Sequence, residues 1–180
     1  MDIRTRLIST AEQLFDRHGF TATGMDRLTH GAGISSRTLY KHVGSKNRLL
    51  AIVLDERDRR FMRSLASAVS VDELFGALGA WFVDEGARGC LFLRVWAETG
   101  GDVPEIVEAM TRHKARLRQR IEEIVEAEIG CRDDELAEAI LLLVEGVTHA
   151  AAYRGSATVD VALRAARRLI EGARTQGLSS

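Results

Sequence analysis

Thr23-Gly24-Met25-Asp26-Arg27-Leu28-Thr29, then Ala32-Gly33-Ile34-Ser35, then Thr38-Leu39-Tyr40-Lys41-His42-Val43 and Ser45-Lys46 make up the stretch that decides the fold. It holds two short helix signals on either side of a glycine turn. Either Thr23 or Gly24 can cap a helix that carries Met25, Leu28 and Thr29 on one face. Gly33 supplies the positive φ of a tight turn, and Ile34 plugs the core beneath it. Ser35 is a good N-cap for a third helix with Leu39, Tyr40 and Val43. Gly44-Ser45 stops that helix, and Ser45 can cap a fourth over about residues 46–65. Upstream, Ile3, Leu7, Ile8, Ala11, Leu14 and Phe15 repeat at helical spacing as far as Arg17. His18-Gly19 ends this first helix, with Gly19 placed for a left-handed cap, and Phe20 folds back as a loop anchor.

Helix, short glycine turn, helix is the helix-turn-helix arrangement. Such a third helix keeps its apolar face down and its polar face free, here Ser36, Arg37, Thr38, Lys41 and His42. The pattern alone leaves two readings open, a solvated face or a reader of the major groove. Charge bears on the choice. Residues 1–50 hold eight Lys/Arg against four Asp/Glu, a net +4, which leaves −5 on the rest of a chain whose formal net charge is −1. A basic head on an acidic body offers phosphates one end only.

These same residues resemble the TetR family signature: a Thr/Ser-capped helix, an Ala-Gly-Val-Ser turn, then Thr-Leu-Tyr-x-His-Phe and a following Ser-Lys. The resemblance covers about residues 5–52. It departs at Arg37, where the family most often has Gly, at Val43 in place of Phe, and at Gly24 and Thr29. It implies that Tyr40, His42 and Lys46 touch the phosphate backbone; all three are hydrogen-bond donors. The second helix is expected to aim its N-terminus, Thr23-Gly24-Met25, at a phosphate as well. Base reading then falls to Ser36, Arg37, Thr38 and Lys41. A guanidinium reaches guanine O6 and N7 bidentately, worth about 1–3 kcal/mol of discrimination. The plainer alternative for Arg37 is a phosphate contact or a free surface residue.

The rest of the chain reads as helical too. A single proline, Pro104, in 180 residues and abundant Ala, Leu, Arg and Glu favour an all-α fold of about nine helices. The expected division is a helix-turn-helix DNA-binding domain over 1–50, a connecting fourth helix, and a ligand-binding and dimerisation domain over 51–180. Helices five to nine are expected near 71–85, 90–98, 104–128, 133–153 and 159–174. Pro104 suits the first turn of the seventh, where its missing N–H costs nothing.

The TetR resemblance implies a small-molecule pocket enclosed by helices five to seven, whose ligand releases the DNA. Its candidate lining is Trp81, Phe82, Phe92, Trp96, Met110, His113 and Leu117, although aromatic and Met residues at this spacing also serve as plain core. Helix eight is apolar nearly all round and must be buried on more than one side. A two-fold bundle of helices eight and nine would do this, with candidate interface residues Ile140, Val144, Val147, Ala151, Leu163, Ala166 and Ile170. Burial within one chain is the alternative.

No metal or cofactor is expected. Glu145 and His149 lie four apart, but no third ligand is evident, and Cys90 and Cys131 form no motif. A nucleophile elbow, a His-Glu-x-x-His pair and a phosphate loop are all missing, which argues against an enzyme. The longest apolar run, Ala139–Val144, falls far short of the roughly 18–20 residues of a membrane span, and the N-terminus lacks an apolar signal region. The expectation is a cytoplasmic homodimer with duplex DNA, as a palindromic operator, and a small apolar or amphipathic molecule as partners.

Overall fold

The computed structural model describes residues 2–177, with side chains as far as residue 175. Among the described residues there are nine α-helices and no strands. They are α1 (Ile3–His18), α2 (Met25–Ala32), α3 (Ser36–Val43), α4 (Lys46–Ser64), α5 (Val71–Glu85), α6 (Leu91–Glu98), α7 (Pro104–Ile129), α8 (Asp134–Arg154) and α9 (Thr158–Gly177).

Local chemistry explains the boundaries. Asp2 caps α1 by accepting the Arg4 and Thr5 amides, a cap not anticipated from the sequence. Ser35, Ser70 and Asp133 each accept an amide in the first turn of α3, α5 and α8. Gly33 takes the left-handed conformation expected of it, at φ 61° and ψ 41°, and closes α2. Gly19 also ends α1 with a positive φ, but at ψ 159° it is extended rather than left-handed helical.

The chain forms two compact units. The first comprises Met1–Arg59 with Cys90–His113, and the second Arg60–Gly89 with Lys114–Ser180. Helices α4 and α7 each contribute residues to both. The core of the first unit joins Leu7, Ala11 and Phe15 of α1, Leu28 of α2, Leu39 and Val43 of α3, and Leu49, Leu50, Val53 and Leu54 of α4. Leu91, Phe92 and Val95 of α6 and Ile106 and Ala109 of α7 complete it. Phe20 is the loop anchor, packed edge-on against Phe15 with ring centroids 5.4 Å apart.

The second unit packs Leu74, Phe75 and Leu78 of α5 against Leu117, Ile121, Ile124 and Val125 of α7 and the buried faces of α8 and α9. Arg120 closes the end of α4 by donating to the Leu65, Ala66 and Ala68 carbonyls.

Two expectations change here. Ile140, Val144, Val147, Ala151, Ala166 and Ile170 are all buried within this single chain, so the second unit's own core uses them. Only Leu163 of the seven is partly open. The apolar side chains that α8 and α9 leave to solvent are instead Leu142, Tyr153, Val161 and Leu169. A helix that is apolar all round does not reveal by its period which side meets its own core.

The second change concerns α8 as a whole. By length and composition it is long and apolar enough to cross a membrane, the one such helix among the described residues. Counting an unbroken apolar run missed this, because Glu138 and Glu145 bound the run Ala139–Val144, while the helix around them stays apolar on average. The face of α8 that carries Ile140, Val144 and Val147 lies in the protein core.

Burial sets the expected cost of core substitutions. Phe15→Ala, at a side chain with no exposure, should destabilise the protein by about 3–5 kcal/mol in denaturant unfolding. Val83→Ala, at a residue 77% exposed, should stay within about 0.5 kcal/mol of the parent.

Candidate functional site

The outward face of α3 is built from the core up. Leu39 and Val43, four residues apart, are buried, and this fixes the rotation of the helix about its axis. Ser36, Arg37, Tyr40, Lys41 and His42 then face solvent, with Tyr40 half exposed at 51%. The start of the helix is pinned twice. The Ser35 hydroxyl oxygen accepts the Thr38 amide at 3.2 Å, and the two hydroxyls bond to each other at 2.9 Å. Thr38 is therefore half-buried and tied to the cap, while its neighbours stay free.

Gly24, of the two residues left open for the role, is the N-cap of α2, and it makes no side-chain capping bond. Thr23 is turned fully inward. Its hydroxyl donates to the Gly19 carbonyl at 2.7 Å, which leaves it no hydroxyl to offer a phosphate. The sequence suits Thr23 to either role, because a β-branched hydroxyl residue can cap a helix or back-bond to a nearby carbonyl. Met25 is half-buried against the first unit's core.

Lys46 opens α4 and is also half-buried. Its ammonium lies 4.3 Å from the centre of the Phe20 ring, within cation–π range. Burial pulls its pKa below the ordinary lysine value, and the nearby Glu98 carboxylate opposes that shift. Neither neighbour was evident from the sequence, since Glu98 lies far along the chain on α6.

The candidate pocket residues fall in separate places. In the first unit, the Phe92 ring stacks flat on the His113 imidazole, with centroids 4.0 Å apart and planes within 4°. His113 Nδ1 is 2.8 Å from Asp58 Oδ1, and both residues are buried. Met110 is half-buried in the same core, whereas Trp96 is 37% exposed and lies over Gly101. In the second unit, Trp81 meets Phe61 edge-on at 5.1 Å, and Phe82 and Leu117 are buried core. A groove of about 500 Å³ lies between α5 and the start of α9; of the residues expected at a site, only Leu163 borders it.

Glu145 is engaged by Lys114 at 2.6 Å, and His149 bonds through Nδ1 to the Glu145 carbonyl. No cluster of three or more metal-ligating side chains occurs among the described residues.

Residues 7–53 match the sequence model of bacterial regulatory proteins of the tetR family. The chain is 29% identical over 115 residues to the HTH-type transcriptional regulator UidR of Escherichia coli K12, a match that covers 62% of this chain. The chain spans 58% of that relative's length. Among solved structures, a TetR-family transcriptional regulator from Streptomyces coelicolor superposes with a TM-score of 0.82 at 23% identity, covering 96% of each chain. A regulator described as a tetR type from Streptomyces avermitilis gives 0.74 at 25% identity, covering 93% of this chain and 99% of the other. The reduced form of E. coli NemR gives 0.76 at 20%, covering 93% and 96%.

The cap on α3 is directly testable. Ser35→Ala should cost about 1 kcal/mol and speed hydrogen exchange at the Thr38 amide, while core amides of α1 exchange as before.

Proposed function

We propose that the chain is a DNA-binding transcription regulator of the TetR family, whose sequence model residues 7–53 match. The observation that carries the reading is the face of α3. Five polar side chains stand free on a capped helix whose opposite face is locked in the core. A helix in that setting enters a major groove without rearranging.

In this reading Ser36, Arg37 and Lys41 meet base edges. Tyr40, His42 and Lys46 hold phosphates, and the amides that open α2 at Gly24 and Met25 add a further phosphate contact. Thr38 contributes through its position beside the cap, and Thr23 by holding the turn from within.

The finer proposal is a cytoplasmic homodimeric repressor that binds a palindromic operator and is released by a small apolar or amphipathic molecule. What supports the dimer is the set of apolar residues that α8 and α9 leave open: Leu142, Tyr153, Val161 and Leu169. A two-fold pair of heads predicts half-sites about one helical turn apart. What supports a ligand step is the likeness to the TetR family, of which small-molecule ligands are typical. A ligand would release DNA only to the extent that it binds the released arrangement more tightly than the DNA-bound one.

Selection of duplexes from a random pool tests the assignment of Arg37. Wild-type protein should enrich a palindrome, and Arg37→Ala should relax one base position in each half-site while the others hold. A uniform loss across all enriched sequences would make Arg37 a phosphate contact instead. For the dimer, Leu142→Glu should shift sedimentation toward the monomer at micromolar concentration; a parent that already sediments as a monomer would refute it.

A further inference from the structure

Two charged residues stand at the wrong ends of their helices. Glu98 is the last residue of α6, where the negative end of the helix dipole disfavours an acid. Lys46 is the first residue of α4, where the positive end disfavours a cation. Both meet the same turn, Gly19-Phe20-Thr21. Glu98 Oε2 accepts the Thr21 backbone N–H at 2.9 Å, and Lys46 sits over the ring of Phe20. The carboxylate lies so close to the chain that a Cβ on Gly19, already at φ 84°, would come within 3.0–3.1 Å of its two oxygens. The turn is built around this acid.

The acid is also held in place. One turn earlier on α6, Arg94 donates to the Asp16 carboxylate at 3.0 Å and to the Asp16 carbonyl at 2.8 Å. Arg94 and Glu98 therefore clasp the end of α1 and the turn after it. Glu98 itself is exposed.

We propose that Glu98 is a built-in counter-charge for the DNA-facing head: it positions the α1–α2 turn through the Thr21 amide and holds a negative charge on the same turn that Lys46 packs against, a charge that an arriving phosphate must outweigh. This rests on the DNA-binding reading above. Lys46 rests on the ring of Phe20 and the carboxylate on the amide of the next residue, Thr21, so the two opposite charges share one turn. An approaching phosphate then meets a fixed negative charge beside the cation it would contact, and non-specific binding is held down. The Coulomb support that Glu98 gives the Lys46 ammonium against its burial agrees with this placement.

The test uses the full chain and a mixed-sequence duplex of about 30 base pairs, titrated between about 50 and 200 mM salt. Glu98→Gln keeps the shape and an acceptor oxygen for Thr21 while removing the charge. Because Glu98 is exposed, the variant should unfold within a few degrees of the parent. At the low-salt end it should bind about three- to ten-fold more tightly than wild type, with the gain shrinking as salt rises. In a Lys46→Gln background the same substitution should gain less than about two-fold, since the cation that Glu98 acts on is gone. Hydrogen exchange at the Thr21 amide should stay slow in Glu98→Gln and become fast in Glu98→Ala.

Equal binding by wild type and Glu98→Gln, or a gain undiminished by Lys46→Gln, would overturn the counter-charge while leaving the DNA-binding reading intact. A wild-type protein that binds no duplex at any salt would overturn the reading itself and this inference with it.

Discussion

Burial of Leu39 and Val43 is the constraint on which the rest of the proposed interface depends. Helix α3 has eight residues, too few to persist in water through its own hydrogen bonds. It exists because these two side chains complete a core that α1, α2, α4, α6 and α7 have already begun. The same two contacts set its rotation, so the polar side chains have no choice but to face outward. Specificity and stability thus share one element: the residues that read DNA in our account stand opposite the residues that hold the helix.

The first compact unit is larger than a three-helix head. Leu91, Phe92 and Val95 of α6 and Ile106 and Ala109 of α7 lie in one core with Leu7, Phe15 and Leu54. Polar bonds reinforce this packing: Arg94 with Asp16, Glu98 with Thr21, Arg112 with Asp55 and His113 with Asp58. Several of these link residues more than 50 positions apart in the chain, for example 78 between Arg94 and Asp16. A displacement of α6 within this unit would be felt at α1 and at the following turn through packing and hydrogen bonds together.

Much of this was legible in the sequence, for physical reasons that differ by element. Gly33 and Ser35 announced the α2–α3 turn because few residues tolerate a left-handed backbone and few side chains cap a helix. The periodicity of α1 showed its buried face directly. The inward turn of Thr23 was not legible, since a threonine hydroxyl serves a cap or a nearby carbonyl equally well. The roles of α8 residues were hidden for the opposite reason. Ile140, Val144 and Val147 are as apolar as Leu142, and only the packed chain tells which of them its own core takes. Glu98 was invisible because its partners, Thr21 and Lys46, lie dozens of residues away, and no periodic pattern carries that information.

The most direct test of the central claim is a footprint of the purified protein on the DNA that flanks its own gene. The account predicts a protected palindrome whose half-sites are about one helical turn apart, with protection that weakens steeply as salt rises. Absence of any sequence-specific, salt-sensitive protection would contradict the claim that the face of α3 is a DNA reader.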